Sequence, residues 1–156
     1  MYKRQFNNFP FEYHQPLEVT VESLTNLGDG VARVPITAED GEQRDWVLFI
    51  PYALTGERLK VRVVKNGAKS SHTEIIDILE PSPHRVEPKC KVYNLCGGCQ
   101  YQHISYEQQL VEKRTHVAEL LQRLGGVTHE VNAPLASPTA WGYRSKITPH
   151  LSLIHI

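Results

Sequence analysis

Cys90, Cys96 and Cys99 fall in one short run, Cys90-x5-Cys96-Gly97-Gly98-Cys99. Thiolates are soft donors that hold zinc or iron–sulfur clusters. The Gly97-Gly98 pair removes side chains where a backbone must wrap closely around a bound group, and it permits positive φ. Three unrelated buried thiols would not need this clustering. A zinc site takes four ligands, and His103 follows Cys99 at the spacing of the last step in three-Cys, one-His sites. An iron–sulfur cluster takes four thiolates as a rule, whereas the chain has 3 cysteines. On spacing alone the two metals stand level.

A second chemistry lies upstream. Arg58, Lys60, Arg62, Lys65 and Lys69 crowd a short stretch against Glu57 alone. The first three alternate along one strand face, so they can line one side of a sheet and neutralise phosphates. A solvated strand face is the plain alternative. Arg33 and Arg44 would extend the basic surface, whereas Trp46 and Phe49 are expected to fill a core rather than stack on bases. Lys+Arg 17 balance Asp+Glu 17 across the 156 residues, so nucleic-acid affinity has to come from such a local face. No apolar run approaches the ~20 residues that span a bilayer, and Met1-Tyr2-Lys3-Arg4-Gln5 opens no apolar signal segment. The expectation is a cytoplasmic protein in a reducing compartment, where clustered thiols suggest metal before disulfide, with no membrane partner.

These groups need elements to hold them. Residues 17–23 alternate apolar and polar as a half-buried strand, and Gly28-Asp29-Gly30 then turns into a second strand at 31–34. Residues 35–45 read as a polar hairpin loop, 46–50 as an apolar strand stopped by Pro51, 57–65 as an alternating strand, and 71–79 as the fifth. A loop rather than a two-residue turn is expected at Asn66-Gly67. Five short strands across residues 15–80 predict a small closed or partly closed β-barrel. Pro81, Pro83 and Pro88 make a stiff linker, which with the cysteine loop occupies residues 81–104. Ser105-Tyr106-Glu107-Gln108 is a capping box that opens a helix, and Gly125-Gly126 closes it. Trp141-Gly142-Tyr143-Arg144-Ser145-Lys146-Ile147 reads as the start of a strand, so residues 105–150 form an α/β fragment of something larger.

The ends carry a different signal. Leu151-Ser152-Leu153-Ile154-His155-Ile156 can be encoded CTG-TCT-CTT-ATA-CAC-ATC, and the reverse complement of the first five codons reads GTG-TAT-AAG-AGA-CAG, a start codon followed by Tyr2-Lys3-Arg4-Gln5. That DNA resembles a transposon mosaic-end adapter, so residues 1–5 and 151–156 are expected to be adapter-derived and the rest a slice of a longer gene.

Leu27-Gly28-Asp29-Gly30-Val31-Ala32-Arg33, with Phe49-Ile50-Pro51-Tyr52-Ala53-Leu54-Thr55-Gly56-Glu57, resembles a TRAM domain, an OB-like RNA-binding barrel. The run Cys90-x5-Cys96-Gly97-Gly98-Cys99-Gln100-x-Gln102-His103, followed by a helix, resembles the iron–sulfur loop of RNA (uracil-5)-methyltransferases, and 141–147 is similar to the strand opening their central domain. The resemblance implies methyl transfer from S-adenosylmethionine to carbon 5 of a uridine, in ribosomal RNA ahead of transfer RNA, and a 4Fe–4S cluster on Cys90, Cys96 and Cys99 with a fourth ligand that this chain lacks. It strengthens the expectation, read from the charge pattern, of RNA contacts at Arg33, Arg58, Lys60, Arg62 and Lys65, and it implies substrate-facing positions at Tyr143, Arg144 and Lys146. In that family a cysteine attacks the ring carbon beside the methylated one, so that carbon 5 becomes nucleophilic. That cysteine, its base and the S-adenosylmethionine pocket belong to a C-terminal domain with no counterpart here, so this chain is expected to be inactive by itself. None of the three cysteines is its nucleophile. The alternative is a non-enzymatic RNA-binding module with a zinc-stabilised loop.

Overall fold

A computed structural model of the chain describes residues 6–38, 41–95 and 98–143. Six strands form one sheet: β1 (Pro16–Thr20), β2 (Ser23–Leu24), β3 (Gly30–Thr37), β4 (Gln43–Ile50), β5 (Arg58–Asn66) and β6 (Ser70–Glu80), in the order β1-β5-β6-β4-β3-β2. The first predicted strand is therefore two. β1 pairs with β5, Pro16 opposite Arg62, and β2 pairs with β3, Ser23 opposite Val31. Between them the chain changes partners. The Val21 amide donates to the Glu57 carbonyl at 2.9 Å, and the Glu22 amide donates to the Val31 carbonyl at 2.8 Å. Since β1 and β2 are consecutive, the first stretch of chain pairs with both ends of the sheet and rolls it into a barrel. A parallel contact between β4 and β6, Phe49 opposite His72, completes the wall.

The period of two decides what fills this barrel. Leu59, Val61 and Val63 of β5 point inward with Leu48 and Ile50 of β4, Ala32 of β3 and Val19 of β1, all buried. Trp46 joins them, as expected. Phe49 does not. One residue out of phase with Leu48 and Ile50, it lies half-buried on the outer wall, its ring 5.5 Å from that of His72, which corrects the core assignment. Residues 6–15 close one end of the barrel through Phe6, Phe9 and Phe11. A buried polar chain secures them: Trp46 Nε1 donates to Ser71 Oγ at 2.8 Å, which donates to Asn66 Oδ1 at 2.6 Å, and Asn66 Nδ2 reaches the carbonyls of Asn7 and Phe11.

Gly30 sits where the closure is tightest. A Cβ there would stand 2.7 Å from Ala53 Cβ and 3.1 Å from Val21 Cγ1. Gly30→Ala is predicted to destabilise the barrel by about 1–3 kcal/mol through overpacking, read as a lowered urea midpoint. An unchanged midpoint would show that Ala53 gives way freely.

After the barrel the described residues form one helix, α1 (Tyr106–Gly125), capped by the Ser105 hydroxyl, which accepts from the Gln108 amide, and ended by Gly126 in the left-handed region. The Gln108 side chain turns to Glu112 instead of completing the capping box. No residue of α1 is buried, and Val117, Leu120, Leu121 and Leu124 are exposed. The predicted strand from residue 141 shows bends at Trp141 and Gly142, and its remainder, with residues 1–5 and 151–156, lies outside the described residues.

Candidate functional site

The linker residues do not hang free of the barrel. Glu57 has the same inward phase as Leu59 and Val61, so a carboxylate enters the wall with 0% exposure. It accepts the Leu54 amide at 2.9 Å, the Ser82 amide at 3.2 Å, and Arg85 through Nε at 2.5 Å and Nη2 at 2.8 Å. Burial works to raise its pKa, but the Arg85 hydrogen bond and the two backbone amides prevail and hold it below the ordinary value. Arg85 Nη2 also donates to the Tyr52 carbonyl at 2.8 Å. From there the backbone clasps the far end of the cysteine loop. The Val86 amide donates to the His103 carbonyl and the Ser105 amide to the His84 carbonyl, each at 2.9 Å, with Arg85 bridged to Ile104.

His103 lies inside this junction at 1% exposure. Its Nδ1 is 2.5 Å from Tyr93 Oη, and Nε2 is 3.4 Å from the Ala53 carbonyl. Tyr93 Oη also lies 2.8 Å from the Gln100 carbonyl, which brings the start of the loop against its end. Burial first, and Arg85 second, push the His103 pKa down to about 4, so the ring is neutral near pH 7. Burial likewise raises Tyr93 to about 12. The imidazole is thus a hydrogen-bonding strut between loop and barrel.

Cys90 is half-buried, its amide donating to Gln102 Oε1 at 3.2 Å, and Cys99 is exposed. Cys96 lies outside the described residues, which include no group of three or more His, Cys, Asp or Glu side chains able to hold a metal. The thiols suit iron–sulfur or zinc in kind. In number, 3 cysteines fall one short of a complete thiolate set for a cluster. Beside Cys99 opens a cleft of about 670 Å³ edged by Lys89, Tyr106, Lys113, Trp141 and Tyr143, where the Lys89 ammonium sits 4.9 Å from the Trp141 ring centre.

The basic strip is brought together on one outer face, but not as a bare positive surface. Arg58 pairs with Glu18 at 3.0 Å and Glu80 at 3.1 Å, and Arg62 with Glu74 at 2.7 Å. Lys60 lies in register between Glu18 and Asp77. Acidic residues on both neighbouring strands thus interleave with all three cations. Arg33 pairs with Glu22, and Arg44 with Glu42 at 3.0 Å. Lys65 and Lys69 are exposed and form no ion pair among the described residues. Arg144 and Lys146 lie outside those residues.

Glu57, Arg85 and Tyr93 are the structural discoveries of this region. Only Glu57 announced itself in the sequence, as an acid on the apolar phase of an otherwise regular strand.

A six-stranded barrel closed by its first stretch of chain, with glycines at Gly28 and Gly30, has the architecture of small OB-like barrels. The TRAM domain family matches residues 14–76, and the chain carries a TRAM domain. It is 43% identical over 88% of its length to an uncharacterized RNA methyltransferase of Halalkalibacterium halodurans, covering 28% of that protein. It is 40% identical over 85% of its length to one of Nostoc sp., covering 27%, and 36% identical over 95% to one of Synechocystis sp., covering 31%. The chain therefore spans less than a third of the length of these curated relatives. No helix among the described residues is long and apolar enough to cross a membrane.

Proposed function

We propose that this chain is the RNA-binding, cysteine-loop portion of an enzyme that methylates carbon 5 of a uridine, in ribosomal RNA ahead of transfer RNA. The observation that carries the reading is the union of a TRAM barrel with a Cys90–Cys96–Cys99 loop fastened to it through Glu57, Arg85 and His103. Similarity along almost the whole chain to proteins named RNA methyltransferases supports it. S-adenosylmethionine supplies an electrophilic methyl group when bound to such an enzyme. The residues here serve to bind and orient RNA, while the nucleophile and base are assigned to the greater part of the enzyme's length. Cys90, Cys96 and Cys99 are proposed to hold a 4Fe–4S cluster completed by one ligand from outside this chain.

The test uses the whole gene product purified without oxygen. Iron and sulfide near four each per chain, together with 5-methyluridine in an unmodified ribosomal RNA supplied with S-adenosylmethionine, are the expected results. The 156-residue chain alone should transfer no methyl group. A colourless protein with one zinc and no transfer would establish the zinc-stabilised binding module instead, and methylation at another atom would overturn the uridine reading.

A further inference from the structure

The geometry points to a base-stacking site on the outer wall of the barrel, where one unstacked base of a single-stranded RNA segment packs on Phe49 and His72 while Lys65 and Lys69 hold the adjoining phosphates. The inference deepens the RNA-binding reading and rests on it. Register places Lys65 of β5 opposite His72 of β6, His72 opposite Phe49 of β4, and Phe49 opposite Val31 of β3. A single row thus runs across four strands, from a cation through two rings to an aliphatic side chain.

The register break between Val63 and Lys65 matters to this arrangement. It inserts Val64 and returns Lys65 to the outer face, beside His72. Phe49 and His72 have ring centroids 5.5 Å apart at 36°, a tilted pair in which Phe49 is half-buried and His72 exposed. Phe49 belongs to neither buried core cluster, so the barrel's own packing does not require an aromatic there. Lys69 lies in the short loop just before β6, where the Gly67 amide donates to the Ser70 carbonyl at 2.8 Å.

Charge separates this wall from the Arg58–Arg62 strip. There, Glu18, Glu74, Asp77 and Glu80 interleave with the cations. Here Lys65 and Lys69 are exposed beside apolar and aromatic surface. Aromatic faces take any base because every base has a π-face, and nearby cations track the backbone. That combination selects a single strand, since a paired helix keeps its bases stacked on one another.

The test titrates the 156-residue chain with a short single-stranded RNA carrying 2-aminopurine and a terminal fluorophore, over a range of salt. Phe49→Leu keeps the half-buried apolar volume, and His72→Ala changes an exposed residue, so the double variant should fold. It should bind at least about 5-fold more weakly and abolish the 2-aminopurine stacking signal with the salt slope intact, since stacking releases no counterions. Lys65→Ala with Lys69→Ala should lower the slope by about 1.4, at ~0.7 per phosphate contact on a single strand. Equal binding by the Phe49/His72 variant, with the loss appearing only in an Arg58/Lys60/Arg62 triple-alanine variant, would overturn the stacking site and move the RNA to the other strip. Absence of binding by the unaltered chain would overturn both this inference and the RNA-binding reading on which it rests.

Discussion

Replacing Glu57 by Gln should release the cysteine loop from the barrel. The substitution keeps shape and volume but leaves the Arg85 guanidinium, at 21% side-chain exposure, without its countercharge. Removing one member of a buried ion pair costs about 3–5 kcal/mol, much of it the penalty for the stranded charge. The loss should fall unevenly. Glu57 itself is in the barrel wall, whereas the backbone it organises through Ser82 and Arg85 leads to His103 and Ser105. Hydrogen exchange should accelerate at the Val86 and Ser105 amides well before it does in β5. Arg85→Met in the same chain should recover part of the loss, because two neutral partners leave no charge unpaired. Uniform exchange rates with an unchanged unfolding midpoint would mean that Glu57 and Arg85 do not couple loop to barrel.

Acid should loosen the same junction from another direction. His103 has a native pKa of about 4 against an ordinary 6.5, because burial and the Arg85 charge disfavour imidazolium. Above pH 6.5 neither the folded nor the unfolded chain protonates it, and its full contribution to stability is present. As pH falls from 6.5 to 4 the unfolded state takes up a proton that the folded state refuses, so stability declines. The decline should be on the order of 3 kcal/mol across that window, at 1.36 kcal/mol per pH unit of difference. The lowered Glu57 pKa acts with the same sign at the acid end, where its protonation removes the Arg85 bond. Thermal midpoints measured from pH 7 to 4 should fall, and His103→Gln should flatten the curve above pH 4.5. An unaltered slope in that variant would show that His103 is not the titrating group.

How far the sequence discloses this arrangement depends on the range of the interaction. Alternation alone places Leu59, Val61 and Val63 in the barrel, because a strand's period is local. The cap at Ser105 and the stop at Gly126 are also local, and both are found where the sequence puts them. Phase errors are harder to see. The run 46–50 is apolar throughout, so nothing within it distinguishes inward Leu48 from outward Phe49, and only pairing with β3 and β6 decides. The division of the first strand is equally nonlocal, since Val21 and Glu22 change partners according to where Glu57 and Val31 lie. The basic strip shows the same limit. Its cations are visible in one stretch of chain, but their acidic neighbours come from two other strands. Of the cysteine loop, the donor types are legible in the sequence, whereas its attachment through Arg85, Tyr93 and His103 depends on contacts made across the fold.

The way β1 finds its partners bears on how the chain is made. A ribosome delivers Pro16–Thr20 early, yet the strand that pairs with it, Arg58–Asn66, emerges only after the β3–β4 hairpin has been completed. At about 5–20 residues per second the first strand waits for seconds with its backbone groups unmatched. Gln43–Ile50 can meanwhile fold back on Gly30–Thr37 without help from any later residue. Within the barrel, birth order and assembly order therefore run oppositely: β1 is made before β5 but can be seated only with it, and until β5 leaves the exit tunnel the nascent barrel is an open sheet.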